Sequence, residues 1–383
     1  MRQNINDAFF SLVAAGLWEK EVRLLPFGEV DFDALLQLAE EQSVVGLVAA
    51  GIEWFKVQDS WTSQAAKPSA RFKVPKPIAL QFIGRVTQLE QRNQAMNYFI
   101  GVIVEKMREE GIYTLLVKGQ AVAQCYERPL WRSSGDVDFF LNEENYKKAD
   151  EFLVPLASSV DTDRGGNHGM TIDPWAVEIH NSLNCGLSKR IDNVLGEIQR
   201  ETFRGGRVRS WMNGDVQVFL LSVENDVLYV FNHFLKHFYK GGLGLRQICD
   251  WCRLLWTYRE TIDRGVIEDR IRQMGLLSEW KAFGAFAVEY LGMESSAIPM
   301  YDDSAKWKQK AVRIKDFVMS VGNMGHNRDM SYYSKYPYVV RKCISMGQRV
   351  GDLVQHSLIF PMDSLRFFPK MMFDGVRSAI KGY

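Results

Sequence analysis

Ser134-Gly135-Asp136-Val137-Asp138-Phe139-Phe140-Leu141 is the stretch on which the fold turns. Its β-branched and aromatic run predicts a strand over 136–141, and the two-residue period of a strand sends Asp136 and Asp138 to one face. Upstream, 112–117 reads as an apolar strand that runs through Lys118-Gly119 into a helix over 119–127. Downstream, strands over 168–172 and 175–180 flank an Asp173-Pro174 turn and form a hairpin that carries Glu178. With a helix over 143–156 between them, these pieces predict an α+β protein: a small mixed β-sheet core flanked by N-terminal and C-terminal helical regions.

The carboxylates are the chemical signal. Asp136 and Asp138 converge, and Glu178 joins them if its strand lies alongside. Carboxylates held that closely repel, and a divalent cation between them relieves the repulsion. Hard oxygen ligands suit magnesium, or manganese, so all three residues are candidate metal ligands. Context separates this pair from Asp31/Asp33, read as a helix start, and from Asp161/Asp163, read as a loop. A glycine at a strand-to-helix turn brings backbone amides close to a phosphate, which makes Lys118 and Gly119 candidate phosphate binders. Arg132 and Ser134 just before the aspartate strand add a guanidinium fork and a hydroxyl. Arg132 has a second reading, as a structural ion pair that neutralises carboxylates.

Lys118-Gly119, Tyr126, Arg132-x-Ser134-x-Asp136-x-Asp138 and Val177-Glu178-Ile179-His180 together resemble the uncharacterised nucleotidyltransferase family of the DNA polymerase β-type superfamily. The abortive-infection toxin nucleotidyltransferases carry a similar pattern. Val45-Gly46-Leu47-Val48-Ala49 and Leu245-Arg246-Gln247-Ile248-Cys249-Asp250 extend the likeness to about the first three-quarters of the chain. The resemblance implies metal-dependent transfer of a nucleoside monophosphate from a nucleoside triphosphate to an acceptor hydroxyl, with Asp136, Asp138 and Glu178 as catalytic metal ligands and Gly119 in the nucleotide-gripping turn. The chain departs from the superfamily's usual turn, because Gln120 stands where a glycine or serine follows Gly119. His180 shares a face with Glu178 and reads either as an acceptor or phosphate contact or as an orienting or core histidine. Asp250 either reaches into the cleft or serves a packed polar face. A kinase-like phosphotransferase and a non-catalytic nucleotide-binding protein are the alternative readings. The chain has no G-x-x-x-x-G-K-[ST], H-R-D or D-F-G pattern to favour the first.

Composition fits without deciding. Of 383 residues, 46% are hydrophobic and 24% charged, as in ordinary globular proteins. The longest apolar runs, 8–18 and 44–50, are too short to span a bilayer, so no integral membrane association is expected. The chain start shows no signal peptide, and five cysteines at irregular spacing argue for a reducing, cytoplasmic setting. Cys249 and Cys252 form a C-x-x-C with no second pair and read as packing. His233 and His237 have helical ligand spacing but lack the glutamate of a metalloprotease motif, and read as surface or cleft-lining residues.

Helices are expected over 8–19, 32–55, 78–110, 188–200, 217–240, 244–259, 275–292 and 303–321, with a loop over 56–77 and a short strand pair within 204–218. This divides the chain into a helical region (1–110), a nucleotidyltransferase core (111–215), a helical cleft-forming domain (216–300) and a basic, aromatic helical region (301–383). That last region carries 14 lysines and arginines against 7 acidic residues, the first 300 residues 33 against 39. The asymmetry suits either an anionic partner or a solvated face whose aromatics pack inward. A nucleoside triphosphate is the expected partner. The acceptor is open, with a small molecule favoured slightly over RNA or protein.

Overall fold

The computed structural model describes residues 2–20, 30–61, 74–161, 167–240, 242–322 and 335–380. Four helices come first: α1 (Arg2–Trp18), α2 (Phe32–Glu41), α3 (Val45–Trp61) and α4 (Lys76–Glu109). The sheet and its helices follow as β1 (Leu115–Val117), α5 (Gly119–Ala123), β2 (Asp136–Phe140), α6 (Glu143–Leu153), β3 (Ser159–Val160), β4 (Asn167–Ile172), β5 (Trp175–His180), α7 (Lys189–Gly205), β6 (Val208–Asn213) and β7 (Val216–Leu221). The chain then stays helical through α8 (Val223–Lys240), α9 (Leu245–Thr257), α10 (Arg264–Met274), α11 (Leu277–Leu291), α12 (Ala305–Val321), α13 (Tyr338–Ile359) and α14 (Pro361–Ile380).

All seven strands form one mixed sheet in the order β3-β4-β5-β2-β1-β7-β6. β2 pairs antiparallel with β1 and parallel with β5, while β1 runs parallel to β7. Alternation along the strands gives the sheet two chemically different faces. Leu116, Val137, Phe139, Leu141, Val177 and Ile179 pack against Met96, Ile100 and Met107 of α4 and Ala149 and Leu153 of α6 in one core. On the opposite face, Leu115, Val117 and Phe140 join a second core with α8 and α9, and the same face carries Asp136, Asp138, Glu178 and His180. Burying one face of each central strand fixes its register, because a one-residue slip would drive the carboxylates into the apolar core.

Aromatic contacts hold the helical wall opposite that polar face. Phe231 of α8 meets Trp251 of α9 at 5.5 Å and Trp280 of α11 at 4.9 Å between ring centroids, and Trp251 and Trp280 stand edge-on at 4.9 Å. Gly46 lets α3 come up against the loop before β2, since a Cβ there would lie 2.0 Å from the Trp131 carbonyl oxygen. That contact gives the Val45–Ala49 motif a structural reason.

Several expected elements move. The helix expected over 217–240 begins as β7, because Val216–Leu221 pairs with both β1 and β6; the strand pair expected within 204–218 is the β6–β7 hairpin. The single helix expected over 32–55 is broken near Gln42. Its side chain donates to the Val318 carbonyl (3.1 Å) and accepts from the Leu245 amide (2.9 Å), and Ser43 turns to φ 56°. The helix after Lys118 stops at Ala123, and α10, capped by the Asp263 side chain, was not anticipated. Asp31 caps α2 as a helix start. Asp163, Tyr332 and Tyr333 lie outside the described residues. Phe367 packs inward on Tyr239, whereas Tyr336 is exposed. Among the described residues no helix is long and apolar enough to cross a membrane.

Candidate active site

The parallel pairing of β2 and β5 sets Asp138 directly beside Glu178 and Phe140 beside His180. Asp136 lies two residues back on the same face, so the strands bring the three carboxylates expected from sequence to one side of the sheet. They line a cavity of about 220 Å³ between the sheet and helices α8 and α9. Asp138, Glu178 and His180 each present one ligand atom within 4.8 Å of the others. Asp136 is not part of that closest group but flanks it.

Asp138 is the hub. Its Oδ1 receives Lys118 Nζ at 2.7 Å and lies 2.7 Å from His180 Nε2, and His180 Nε2 is 3.4 Å from Glu178 Oε2. His180 Nδ1 faces Asn167 Oδ1 at 2.8 Å, which turns Nε2 toward the carboxylates. Burial alone would raise the Asp138 carboxyl, but Lys118 and His180 outweigh it and hold its pKa at about 2. Asp136 is pushed up by repulsion from Asp138 and then by burial, and Glu178 by burial and then by Asp138. Burial opposes the charge on Lys118, yet attraction to Asp138, Tyr229 and Asp136 outweighs it and raises its pKa. Three carboxylates thus share one bonded lysine. The excess negative charge, with two hard oxygens and an imidazole nitrogen in reach of one point, fits a divalent cation.

Lys118 reaches this position through an unusual backbone. It sits at φ 57°, and Gly119 follows at φ 38°. A Cβ on Gly119 would lie 3.3 Å from the Asp136 carbonyl oxygen, so the turn that delivers the lysine runs tight against the aspartate strand. Gln120 points away from the cleft: its Nε2 donates to Asn93 Oδ1 at 2.9 Å, and Asn93 Nδ2 donates to the Leu130 and Arg132 carbonyls at 2.7 and 2.8 Å. Gln120 therefore ties α4 to the loop before β2.

Arg132 is already paired in the fold. It is 5% exposed, its Nε and NH2 donate to Asp250 Oδ1 and Oδ2 at 2.7 Å each, and NH1 donates to Ser134 Oγ at 3.0 Å. Tyr126 donates to the same Asp250 Oδ1 at 2.7 Å. Arg132 and Asp250 touch the cleft wall with their hydrogen bonds already made, and Ser134 does not line the cavity.

Two cations that sequence reasoning left unassigned stand there instead. Arg246 of α9 donates NH1 to the Ser133 carbonyl at 2.8 Å, its Nε has no partner, and among the described residues no carboxylate is in ion-pair contact with it. Burial, and then the neighbouring Arg132, lower its pKa. Lys236 of α8 also lines the cavity without an ion pair among the described residues. A partial signal for Lys236 lay in helical spacing: Tyr229, His233 and Lys236 recur at three- and four-residue steps on the cleft side of α8. His233 and His237 line the cleft as expected and hold Nε2 to Nε2 at 3.1 Å. Burial, followed by the nearby lysines, lowers His237 to about 4 and His233 well below its ordinary value, so both are neutral near pH 7. No third metal-ligating side chain joins them among the described residues. Cys249 and Cys252 are fully buried free thiols in the core, as their packing reading requires.

Acidic residues on one face of the central strands of a mixed sheet thus face a cation-bearing helical wall across the cavity. The chain belongs to the family described as uncharacterised nucleotidyltransferase, whose sequence model matches residues 28–292. That span takes in the whole sheet, α8, α9 and every residue of the site above. Neither a curated protein nor a solved structure matches the chain.

Proposed function

We propose that this protein is a metal-dependent nucleotidyltransferase of the DNA polymerase β type, which moves a nucleoside monophosphate from a nucleoside triphosphate to an acceptor hydroxyl and releases pyrophosphate. The observation that carries the reading is the register of β2 and β5, with Asp138 beside Glu178, Asp136 on the same face and Lys118 bonded into the cluster. Asp136, Asp138 and Glu178 would hold magnesium or manganese, with His180 completing the donor set. Such a metal, when bound, neutralises charge developing on phosphate oxygens and lowers the pKa of an attacking hydroxyl.

The chain's own groups do the rest. Lys118 at the β1–α5 turn supports the phosphates from beside the carboxylates, and Arg246 and Lys236 bind the β- and γ-phosphates from the helical wall. The acceptor oxygen bonds to the α-phosphorus, the bond from that phosphorus to the bridging oxygen breaks, and pyrophosphate leaves with the electron pair. Glu178, whose carboxylate is partly open to the cavity, takes the acceptor's proton at Oε2 and returns it to solvent. Arg132 and Asp250 keep the wall in shape without touching substrate.

The product released by the full-length protein with magnesium and ATP, GTP, CTP or UTP tests this reading. Pyrophosphate and a nucleoside monophosphate, free or attached to an acceptor, are expected. Release of ADP or another nucleoside diphosphate would establish kinase-like chemistry instead, and no thermal stabilisation by any of the four triphosphates with magnesium would make the site non-catalytic.

A further inference from the structure

The cleft does not end at the carboxylates. A second cavity of about 60 Å³ lies beyond Glu178 and His180, and it shares Lys118, Glu178, His233 and Lys236 with the first. Gly119 and Arg246 belong to the first cavity alone, and Asn167, Ser182, Asn184, Tyr229 and Asn232 to the second. In-line displacement puts attacking and leaving oxygens on opposite sides of the phosphorus. With pyrophosphate drawn toward Gly119 and Arg246, the attacking hydroxyl enters from the second cavity.

That cavity is built for hydrogen bonding and is incompletely satisfied by the protein. Tyr229 is 7% exposed and lines the cavity, and its hydroxyl makes no hydrogen bond to a described residue. Asn232 is fully buried and donates Nδ2 to the Leu228 carbonyl at 2.8 Å, while its Oδ1 is left without a donor. A buried acceptor without a partner costs about 1–3 kcal/mol, so Asn232 Oδ1, on a cavity that also presents the unbonded Tyr229 hydroxyl, points to a ligand that supplies hydrogen bonds. The space takes the equivalent of about two waters at roughly 30 Å³ each, so it admits one hydroxyl-bearing edge of a larger acceptor rather than a nucleobase. Apart from Leu183 and Cys185 its walls are amides, hydroxyls, imidazoles, two ammonium groups and a carboxylate, so hydroxyls neighbouring the reacting one find partners and an alkyl surface does not.

We propose that the second cavity is the acceptor site and that the acceptor is a small polyhydroxylated molecule of the sugar or cyclitol class, its attacking hydroxyl beside Glu178 and its neighbouring hydroxyls on Tyr229 and Asn232. The inference rests on the nucleotidyl-transfer reading and names the substrate class of that same site. The acceptor hydroxyl loses its proton to Glu178 and gains the nucleoside monophosphate, and pyrophosphate carries away the bonding pair.

The test incubates the full-length protein with magnesium and each triphosphate in turn, with glycerol, ribose, glucose, glucose 6-phosphate or myo-inositol as acceptor. A serine-containing peptide and tRNA form separate arms, and water alone measures hydrolysis to nucleoside monophosphate and pyrophosphate. At least one polyol is expected to stimulate pyrophosphate release about tenfold over water and to gain the mass of the nucleotidyl group. Tyr229→Phe, which keeps the ring, is expected to raise the KM for that polyol about tenfold while the KM for the triphosphate stays within about twofold, as loss of one neutral hydrogen bond to the acceptor alone requires. Hydrolysis in water with no stimulation by any polyol, stimulation by tRNA or the peptide alone, or equal shifts of both KM values would overturn the proposal. Absence of any cleavage between the α- and β-phosphates would instead overturn the nucleotidyl-transfer reading beneath it.

Discussion

Two clusters of charge face each other across this cleft and are finished in opposite ways. On the helical side, Arg132 and Asp250 make a bidentate pair, Tyr126 fills a remaining lone pair and Ser134 takes another guanidinium proton. On the sheet side, Asp136, Asp138 and Glu178 meet one bonded lysine and one histidine, and Glu178 keeps 43% of its side chain exposed. Burying charge is costly unless it is paired and hydrogen-bonded. A cluster with every valence used is therefore part of the scaffold, whereas one left short of positive charge at the mouth of a cavity is held ready for something that arrives from solvent.

The sharpest way to break this contrast is to neutralise the open cluster. Asp138→Asn is expected to lower pyrophosphate release about 10³-fold, the several kcal/mol of transition-state stabilisation that a correctly held metal supplies. EDTA is expected to do the same to the unaltered protein, and added magnesium or manganese to restore it. Undiminished release from the folded variant would remove the metal assignment. Asp250→Ala should act in the other currency. It leaves Arg132 buried without its counter-charge, so stability is expected to fall by at least about 3 kcal/mol in urea titration. If Asp250→Ala lost activity at unchanged stability, Asp250 would belong to the chemistry and the contrast would fail.

A smaller effect sharpens the division within the cleft wall. Arg132 and Arg246 both line the first cavity, but only Arg246 lacks a carboxylate partner among the described residues. Arg246→Gln is expected to raise the KM for the triphosphate about tenfold or more, the loss of a hydrogen bond to a charged group, with little change in urea midpoint. A stability loss as large as that of Asp250→Ala would make Arg246 structural too.

The sequence made the open cluster legible and hid the closed one, for a physical reason. Asp136 and Asp138 interrupt an apolar run at a period of two, and Glu178 does the same within Trp175–His180, so strand geometry alone aims them together. Lys118-Gly119 could be read as a turn because a glycine follows an apolar strand. The partner of Arg132, by contrast, is Asp250, 118 positions along the chain on a helix. No local pattern distinguishes a guanidinium waiting for phosphate from one already paired at that distance. Arg246, Lys236 and Tyr229 were missed for a related reason, since helical periodicity separates inside from outside but not a cleft from bulk water. The start of β7 was misread as helix because its pairing with β1 is decided by the sheet, not by its own residues.

A third acidic group marks the limit of the contrast, because it has neither a metal-binding mouth nor a bonded cation. Glu279 of α11 is fully buried, accepts a hydrogen bond from Tyr239 at 3.0 Å and faces Asp363 of α14. Burial, and then the Asp363 carboxyl, raise its pKa above the ordinary glutamate range, so here a proton does the work that Lys118 does in the cleft. A carboxyl whose pKa is higher in the folded state contributes stability that is complete below the unfolded value and is lost as pH rises through the folded one. The thermal midpoint of the unaltered protein should therefore fall further between about pH 5 and about pH 8 than that of Glu279→Gln, which keeps the hydrogen bond from Tyr239 and cannot ionise. Equal slopes for the two proteins would mean that Glu279 is ionised in the fold, and that an uncompensated buried carboxylate is tolerated here without metal, lysine or proton.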